Sequence, residues 1–147
     1  MHERFILISH RGNIYGANPL LENSPDYIWN AIEHGYDVEV DVWFKNGGWW
    51  LGHDSPQYDI NFAFLYMPNM WLHCKNYEAL QQLIQTELNF FYHTDEDYVL
   101  TSKKFIWAHP SQHGSDHTIC VMPEQDASVV DSVDGFAGVC SDWISSY

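Results

Sequence analysis

Two acidic residues that alternate with valines are the strongest candidates for chemistry in this chain. Glu39 and Asp41 lie in the segment 36–44, where valines occupy the positions beside them. Residues two apart in a strand face the same side, so both carboxylates point one way. Inside a barrel they would be costly to bury unpaired, and a hard divalent cation such as Mg²⁺ or Ca²⁺ would remove that cost. The alternative is an edge strand whose acidic face is solvated.

Three further clusters of polar residues follow predicted strands. They are His10 with Arg11, His53 with the aspartate that follows it, and His73 with Lys75. In a parallel β/α sheet or barrel the C-terminal ends of the strands meet at one rim, where binding sites are built. We therefore expect the four clusters to converge on one site.

These residue types suit the cleavage of an anionic substrate. Histidine titrates closest to neutral pH, so His10 and His53 are candidates for a general acid and base. Arg11 and Lys75 are two of only six basic residues in a chain of net charge −14, and they suit the binding of a phosphate. The alternatives are a surface or hydrogen-bonded core role for each histidine and an ordinary salt bridge for each cation.

A second group of histidines has regular spacing. His109, His113 and His117 recur every four residues, which on a helix would align them as transition-metal ligands. Pro110 and Gly114 favour a loop at this point, so we do not expect a metal site there.

The elements that must position these residues alternate between strands and helices in the first half of the chain. Ser24 and Pro25 are typical of a helix start, Gly35 of its end, and the Asn-Gly pair at 46–47 of a hairpin turn. The pattern predicts strands at 5–8, 36–44, 49–52, 70–75, 89–93, 98–101, 105–108, 118–122 and 138–142, with helices after Ser24, around 80–88 and within 124–130. This order indicates a mostly parallel α/β architecture that has shed helices.

Length and composition limit the class of protein. With 147 residues, 46% of them hydrophobic and 18% charged, the chain is expected to fold as one domain over 1–147 rather than stay disordered. The charge of −14 argues against nucleic acid and anionic membranes as partners. The high aromatic share, 16%, predicts a small core built from large side chains.

The spacing of the cysteines and the lack of long apolar segments indicate where in the cell the protein is found. Three cysteines without a Cys-x-x-Cys spacing indicate reduced thiols, and Cys74 is expected to be a packing residue rather than a nucleophile. No segment approaches the roughly 20 apolar residues of a membrane span, and the first residues lack the apolar core of a secretory signal. We therefore expect a cytoplasmic protein.

Four short motifs, taken in order, resemble the signature of the glycerophosphodiester phosphodiesterase family within the phospholipase C-like phosphodiesterases. They are His-Arg-Gly-Asn at 10–13, Glu-Asn-Ser-Pro at 22–25, Gly-Tyr-Asp-Val-Glu-Val-Asp at 35–41 and Gly-His-Asp at 52–54. Lys75 matches the lysine of that family's Glu-x-Lys strand, and the segment 133–142 is similar to its closing strand.

The resemblance implies a β/α barrel that cleaves a phosphodiester with one divalent metal ion, usually releasing glycerol 3-phosphate and an alcohol. It also implies an acid and base pair in His10 and His53, metal ligands in Glu39 and Asp41, and phosphate clamps in Arg11 and Lys75.

The chain departs from the family in two respects. His73 stands where the family has a third metal-binding carboxylate, and an imidazole there weakens Ca²⁺ binding and suits a softer or smaller ion, so that Mg²⁺, Ca²⁺ and Mn²⁺ are all candidates. A β/α barrel usually needs about 250 residues. We therefore expect a compact TIM-type barrel with several outer helices missing or reduced, and a homo-oligomer is one way to cover its exposed sheet.

Three functions are compatible with these residues. The leading hypothesis is hydrolysis of a glycerophosphodiester or a similar small phosphodiester, because the acid, base and clamp positions are all filled. The second is a lyase of the venom phospholipase D or phosphatidylinositol phospholipase C kind, which closes a cyclic phosphate with the substrate's own hydroxyl. The third is a protein that binds a phosphorylated ligand without turnover, since His73 breaks the carboxylate triad.

Overall fold

One sheet carries all ten strands of the computed structural model, which describes residues 4–110, 112–126 and 133–147. The strands are β1 (Ile6–His10), β2 (Asp37–Lys45), β3 (Gly48–Leu51), β4 (Tyr58–Ile60), β5 (Met70–Cys74), β6 (Phe90–Tyr92), β7 (Tyr98–Leu100), β8 (Ile106–Ala108), β9 (Thr118–Val121) and β10 (Gly138–Ser141). The α-helices in these residues are α1 (Pro25–Glu33) and α2 (Tyr77–Leu83), and short 3-10 helices lie at Phe62–Tyr66, Pro123–Gln125 and Ile144–Ser146.

Seven parallel strands form the body of the sheet, in the order β8, β9, β10, β1, β2, β5 and β6. The meander of β3 and β4 extends from the C-terminal half of β2, and β7 pairs antiparallel with β8. The prediction of a mostly parallel α/β protein with few helices is therefore confirmed. The described residues hold only two α-helices beside seven parallel strands, which agrees with the expectation that several outer helices are missing.

The sheet is strongly curled. Trp71 on β5 and Trp107 on β8 are five strand steps apart along the sheet, which in a flat sheet would separate them by about 24 Å. Their ring centroids are only 5.8 Å apart, so the sheet bends round until its concave face packs against itself. The curl is that of a half-barrel, because no described strand pairing joins β6 to β7. Ser102 bridges that gap by donating its backbone N–H to the carbonyl of Phe90.

The alternating pattern of β2 divides the protein into an outer and an inner layer. Val38, Val40 and Val42 are fully buried on the outer face, in one cluster with apolar residues of α1 and α2. The inner cluster is built mainly from one large side chain per strand and fills the bottom of the concave face, with members that include Ile8, Trp71, Phe91, Trp107, Ile119 and Cys140. Glu39 and Asp41 lie on this inner side, beside His73, whose ring stacks on Phe91 of the inner cluster.

One of the predicted helices ends earlier than expected, and a second lies partly outside the described residues. The periodic residues at 80–88 suggested a longer helix, but α2 ends at Leu83, whose carbonyl accepts both the backbone N–H and the hydroxyl of Thr86. In the region 124–130 the described part is a 3-10 turn, and residues 127–130 lie outside the described residues. Ser24 occupies the N-cap position of α1 as predicted, although its side chain makes no capping hydrogen bond.

The segment 58–66 contains structure that the sequence reading did not predict. Phe62, at the start of a 3-10 helix, stacks on Trp49 of β3 with ring centroids 5.2 Å apart. Asn61 caps this turn by accepting the backbone N–H of Ala63. A tertiary contact with β3 and a local cap therefore both contribute to the structure of this segment.

The three cysteines are free and buried, as expected for reduced packing thiols. Within the described residues, none of the helices combines the length and the apolar character that a membrane span requires.

Candidate active site

The register between β2 and β5 brings three potential metal ligands together. Asp41 lies directly opposite His73, and Glu39 lies two residues earlier on the same face of β2. The Nδ1 atom of His73 is 3.1 Å from Asp41 Oδ1 and 3.4 Å from Glu39 Oε2. Glu39 and Asp41 are only 2% and 1% exposed, so the alternative of a solvated acidic edge strand is wrong.

One oxygen of this cluster lacks a partner. Glu39 Oε1 is buried and accepts no hydrogen bond from the described residues. A buried carboxylate oxygen without a donor is energetically costly, and such atoms are rare in native structures. Glu39, Asp41 and His73 each offer a ligand atom within 4.8 Å of the other two, so one ion in their midst would satisfy this oxygen. The residues therefore fit a metal ion.

The second ring nitrogen of His73 is fixed by the backbone. Its Nε2 atom lies 2.9 Å from the carbonyl oxygen of His93, and because a carbonyl only accepts, Nε2 must carry a proton. In the neutral imidazole this leaves a lone pair on Nδ1, directed at the two carboxylates. A hydrogen bond from the outer nitrogen to a carbonyl is the usual support of a metal-binding histidine.

Without an ion, a proton holds the cluster together. Burial by itself would lower the pKa of His73, but the hydrogen bonds and charges of Asp41 and Glu39 raise it to about 9. Burial would raise the pKa of Asp41, but His73, Arg11 and Asn23 hold it well below its usual range. The metal-free cluster is therefore an imidazolium between two carboxylates, and a metal ion must displace the Nδ1 proton.

Asn23 is a part of the site to which the sequence analysis assigned no role. Its side-chain amide donates to Asp41 Oδ2 at 2.8 Å, and its amide oxygen accepts the backbone N–H of Asp41 at 3.0 Å. Asn23 is buried and adopts a left-handed backbone conformation, with φ at 67°. Asparagine adopts this conformation more readily than most residues. The sequence signal that could have pointed to Asn23 as a site residue is its place in the motif 22–25.

Arg11 lies between two carboxylates. Its Nη1 atom donates to Glu22 Oε1 at 3.2 Å, and its Nε atom lies 3.1 Å from Asp41 Oδ2. The second contact is an ion pair without the geometry of a hydrogen bond, because Nε has no hydrogen-bond partner in the described residues. The salt-bridge alternative is therefore realised for Arg11, and its contact with a phosphate remains a prediction.

His10 belongs to a chain of hydrogen bonds that lies beside the cluster of Glu39, Asp41 and His73. Its Nδ1 atom is 2.7 Å from Asp142 Oδ1, and the same oxygen accepts the side-chain amide of Asn13 at 2.8 Å. Tyr27 in turn donates its hydroxyl to the amide oxygen of Asn13 at 2.9 Å. The Nε2 atom of His10 faces Glu39, 3.8 Å from Oε1.

The carboxylate of Asp142 sets the state of His10. Burial by itself would lower the pKa of His10, but the hydrogen bond to Asp142 and the charge of Glu39 raise it. The pKa of Asp142 is lowered, because the bonds from His10 and Asn13 outweigh its burial. Asp142 therefore holds the Nδ1 proton and leaves Nε2 to exchange protons at the cluster. In the sequence, the only signal for Asp142 is its position at the end of the segment 133–142.

The structure does not bring His53 into this network. Gly52 donates its backbone N–H to the Asp41 carbonyl at 3.1 Å, which anchors the loop after β3 near the cluster. The His53 side chain is nevertheless 43% exposed and contacts the carboxylate of Asp54 at 2.8 Å. None of its contacts within the described residues reaches His10 or the cluster of Glu39, Asp41 and His73.

Lys75 lies at the same end of the sheet. Its backbone N–H donates to the Val42 carbonyl at 2.8 Å, directly after the end of β5. By strand alternation it shares the inner face with His73, two residues before it. Its ammonium group forms no ion pair with the part of the chain that the structure describes, so it is available to an anionic ligand.

The second histidine group forms no comparable cluster. His117 is exposed and contacts Asp116, and the exposed His109 has its ring 6.4 Å from that of His93. Across residues 4–110, 112–126 and 133–147, Glu39, Asp41 and His73 are the one set of three potential ligands close enough to share an ion.

Comparison with known proteins identifies no relative. No family model matches the chain, and neither the curated proteins nor the solved structures contain a significant match. The motifs and the geometry of the site are therefore the basis for a function.

Proposed function

We propose that this protein is a metal-dependent phosphodiesterase. Its substrate is a glycerophosphodiester or a similar small phosphodiester, which it hydrolyses to an alcohol and a phosphomonoester such as glycerol 3-phosphate. The observation that carries the proposal is the buried Glu39 carboxylate: its Oε2 atom faces His73, while its Oε1 atom has no hydrogen-bond partner and lies 3.8 Å from His10 Nε2. The four motifs of the first part of the chain support the same reaction.

We also propose that the fold is a reduced β/α barrel of the TIM type. The support is the order of the parallel strands, since β1, β2, β5 and β6 and then β8, β9 and β10 follow one another round the curled sheet in chain order. In a barrel of this type, the site belongs at the C-terminal ends of the strands. His10, Asp142 and Lys75 lie at three of these ends.

Glu39, Asp41 and His73 would hold one divalent ion. When bound, it would neutralise the phosphoryl oxygens as negative charge develops on them. Two carboxylates and one imidazole suit Mg²⁺ or Mn²⁺, because Ca²⁺ prefers six to eight oxygen ligands. His73 is kept in the ligating tautomer by the His93 carbonyl.

The protein's own residues would handle the protons and the anion. Asp142 orients His10 so that Nε2 takes up or gives a proton on the side of the Glu39 carboxylate. His53 is the proposed second acid or base, carried by the loop that Gly52 anchors to Asp41. Arg11 and Lys75 would contact the phosphate oxygens, since guanidinium and ammonium groups are the usual partners of phosphate.

The proposal is tested by assaying bis(p-nitrophenyl) phosphate and glycerophosphocholine with added Mg²⁺, Mn²⁺ or Ca²⁺. We expect activity that depends on the metal and falls by about 100-fold or more in His10→Ala. His117→Ala, which alters an exposed histidine, is the matched control and should retain the wild-type rate. Equal rates in wild type and His10→Ala would contradict the proposal. Phosphorus NMR of the product separates a hydrolase from a lyase that releases a cyclic phosphate.

A second candidate function is binding of a phosphorylated ligand without turnover. The observation that favours it is the position of His53, which makes no described contact with His10 or the metal cluster. Calorimetry with glycerol 3-phosphate and Mn²⁺ would then show binding, while no phosphodiester is consumed. Metal-dependent turnover that requires His53 would contradict this second function.

A further inference from the structure

Trp43 lies where β2 meets the turn that carries His53. It follows Glu39 and Asp41 at the two-residue spacing of a strand, so by alternation it shares their face of β2. Its side chain is half-buried, and its indole Nε1–H donates to the carbonyl of Gly52 at 2.7 Å. Because Gly52 directly precedes His53, this bond holds the base of the turn.

Gly52 is bonded to β2 through both of its backbone polar groups. Its N–H donates to the Asp41 carbonyl at 3.1 Å, and its own carbonyl accepts the Trp43 indole. One of these two partners is a proposed metal ligand, and the other is the next residue on the same face of the strand. The hydrogen bonds therefore tie the residue before His53 to the strand that carries the acidic side chains.

The turn after Gly52 is tight and closed. Gly52 has φ at 153°, and a Cβ atom there would clash with the backbone oxygen of Ser55, so the position favours glycine for both reasons. The N–H of Gln57 donates to the Leu51 carbonyl at 2.8 Å and joins the two ends of the turn. A short turn with fixed ends leaves the His53 ring to move mainly about its own side-chain bonds.

The His53 ring depends on its backbone for its position. The ring is 43% exposed, and its contact is with Asp54, whose side chain is itself 93% exposed. A group that acts on a substrate must be placed accurately, since an error of about 1 Å can cost about 100-fold in rate. The hydrogen bonds at Gly52 are the described contacts that can supply this accuracy.

We infer that Trp43 is a positioning residue for His53: its indole N–H holds the Gly52 carbonyl and so keeps the turn beside the end of β2. The inference depends on the proposed function, because His53 serves there as the second acid or base. The alternative is a tryptophan that only stabilises the hairpin, whose removal would have the same effect whether or not His53 is present.

Trp50 provides a matched comparison within the same hairpin. It lies directly opposite Trp43 in the register of β2 and β3. Its Nε1–H also donates to a backbone carbonyl, that of Lys45 at 3.3 Å, but this bond lies at the other end of β3 from His53. Removing the indole N–H of Trp50 therefore alters the hairpin without altering the base of the turn.

The test is a double-mutant cycle of Trp43→Phe and His53→Ala, assayed with bis(p-nitrophenyl) phosphate and Mn²⁺. Phenylalanine keeps an aromatic ring at a half-buried position, so the variant should fold. We expect Trp43→Phe to lower kcat by about tenfold, as the loss of one hydrogen bond would, and to leave KM within about twofold. In the His53→Ala background the same change should lower kcat by less than about twofold, because residues that act as a unit are not additive.

Hydrogen exchange at the Gly52 amide is a second measurement that needs no turnover. The exchange should become about tenfold faster in Trp43→Phe, while the amides of the buried strands keep their wild-type protection. Trp50→Phe is the control and should retain both the wild-type kcat and the wild-type exchange at Gly52.

Three results would overturn the inference while leaving the proposed function intact. The first is an equal loss of kcat from Trp43→Phe with and without His53. The second is an unchanged exchange rate at Gly52, and the third is an equal loss of kcat in Trp50→Phe. A wild-type protein that hydrolyses no phosphodiester with Mg²⁺, Mn²⁺ or Ca²⁺ would overturn the proposed function and this inference with it.

Discussion

Asp41 Oδ1 and His73 Nδ1 lie 3.1 Å apart on two neighbouring parallel strands, in direct register. The pair is buried, and the Glu39 carboxylate completes it on the same face of β2. We expect the cluster to have two states, one with a proton on His73 Nδ1 and one with a metal ion. The first two predictions separate these states.

Metal binding should stabilise the folded protein. At a free concentration of Mn²⁺ about 100 times its Kd, we expect the Tm to rise by roughly 5–10 °C, because a ligand that binds only the folded state stabilises it. Glu39→Gln removes a charged ligand oxygen and should abolish most of this rise. The measurement is differential scanning fluorimetry with Mn²⁺ and with EDTA.

Glu33→Gln is the control for that experiment, since Glu33 is an exposed residue at the end of α1. It should retain the wild-type response to Mn²⁺. An equal rise in Glu39→Gln and wild type would show that the ion binds elsewhere.

The metal-free protein should lose stability at alkaline pH. The pKa of His73 is raised to about 9 in the folded state from an ordinary value of 6.5. The stabilisation is therefore complete below pH 6.5 and is lost as the pH rises through about 9, with a total on the order of 3 kcal/mol. Urea unfolding in EDTA at a series of pH values measures it.

His73→Gln should flatten this pH dependence, while His117→Gln, at an exposed position, should leave it as in wild type. Identical slopes between pH 6.5 and 9 for wild type and His73→Gln would refute the assignment of the raised pKa to His73.

Asp142→Asn should change the protonation of His10 without removing the ring. The hydrogen bond and charge of Asp142 raise the pKa of His10, so the neutral amide should lower that pKa. If His10 acts in catalysis, the rate should fall by about 10- to 100-fold, since Nδ1 loses the carboxylate that orients it. Histidine NMR titration and the assay with bis(p-nitrophenyl) phosphate measure the two effects.

Asp59→Asn, on the exposed side of β4, is the matched control and should affect neither property. A His10 pKa that stays the same in Asp142→Asn would mean that the 2.7 Å contact does not form in solution.

The Asn23 side chain should stabilise the site through Asp41. Asn23→Gly keeps a left-handed backbone accessible but deletes both hydrogen bonds to Asp41, so we expect a loss of about 2 kcal/mol in the free energy of unfolding. It should also weaken Mn²⁺ binding, because Asp41 is then free to turn. Denaturant unfolding and metal titration measure the two losses.

Asn69→Gly provides the comparison, because Asn69 is also left-handed, with φ at 66°, but is exposed. Its free energy of unfolding should stay within about 0.5 kcal/mol of wild type. If the two variants lost the same free energy, the hydrogen bonds to Asp41 would not be the cause.

Local patterns in the sequence were sufficient to predict the strands that carry the site. The alternation in 36–44 depends only on neighbouring residues and the two-residue period of a strand, and it correctly separates the buried valines from the inward acids. The convergence of His10, Asp41 and His73 followed from the parallel order of their strands. The structure of 58–66 did not follow, because Phe62 is held by its contact with Trp49.

The sequence by itself determined which residue types are present, that the carboxylates of β2 share a face, and that the strand ends carry histidines and cations. Only the tertiary structure decided which of them meet. Asp142 pairs with His10 across 132 residues of chain, and Arg11 pairs with Asp41 and Glu22, while His53 makes no described contact with this group. Such pairings depend on strand order and register between distant segments, which no local periodicity encodes.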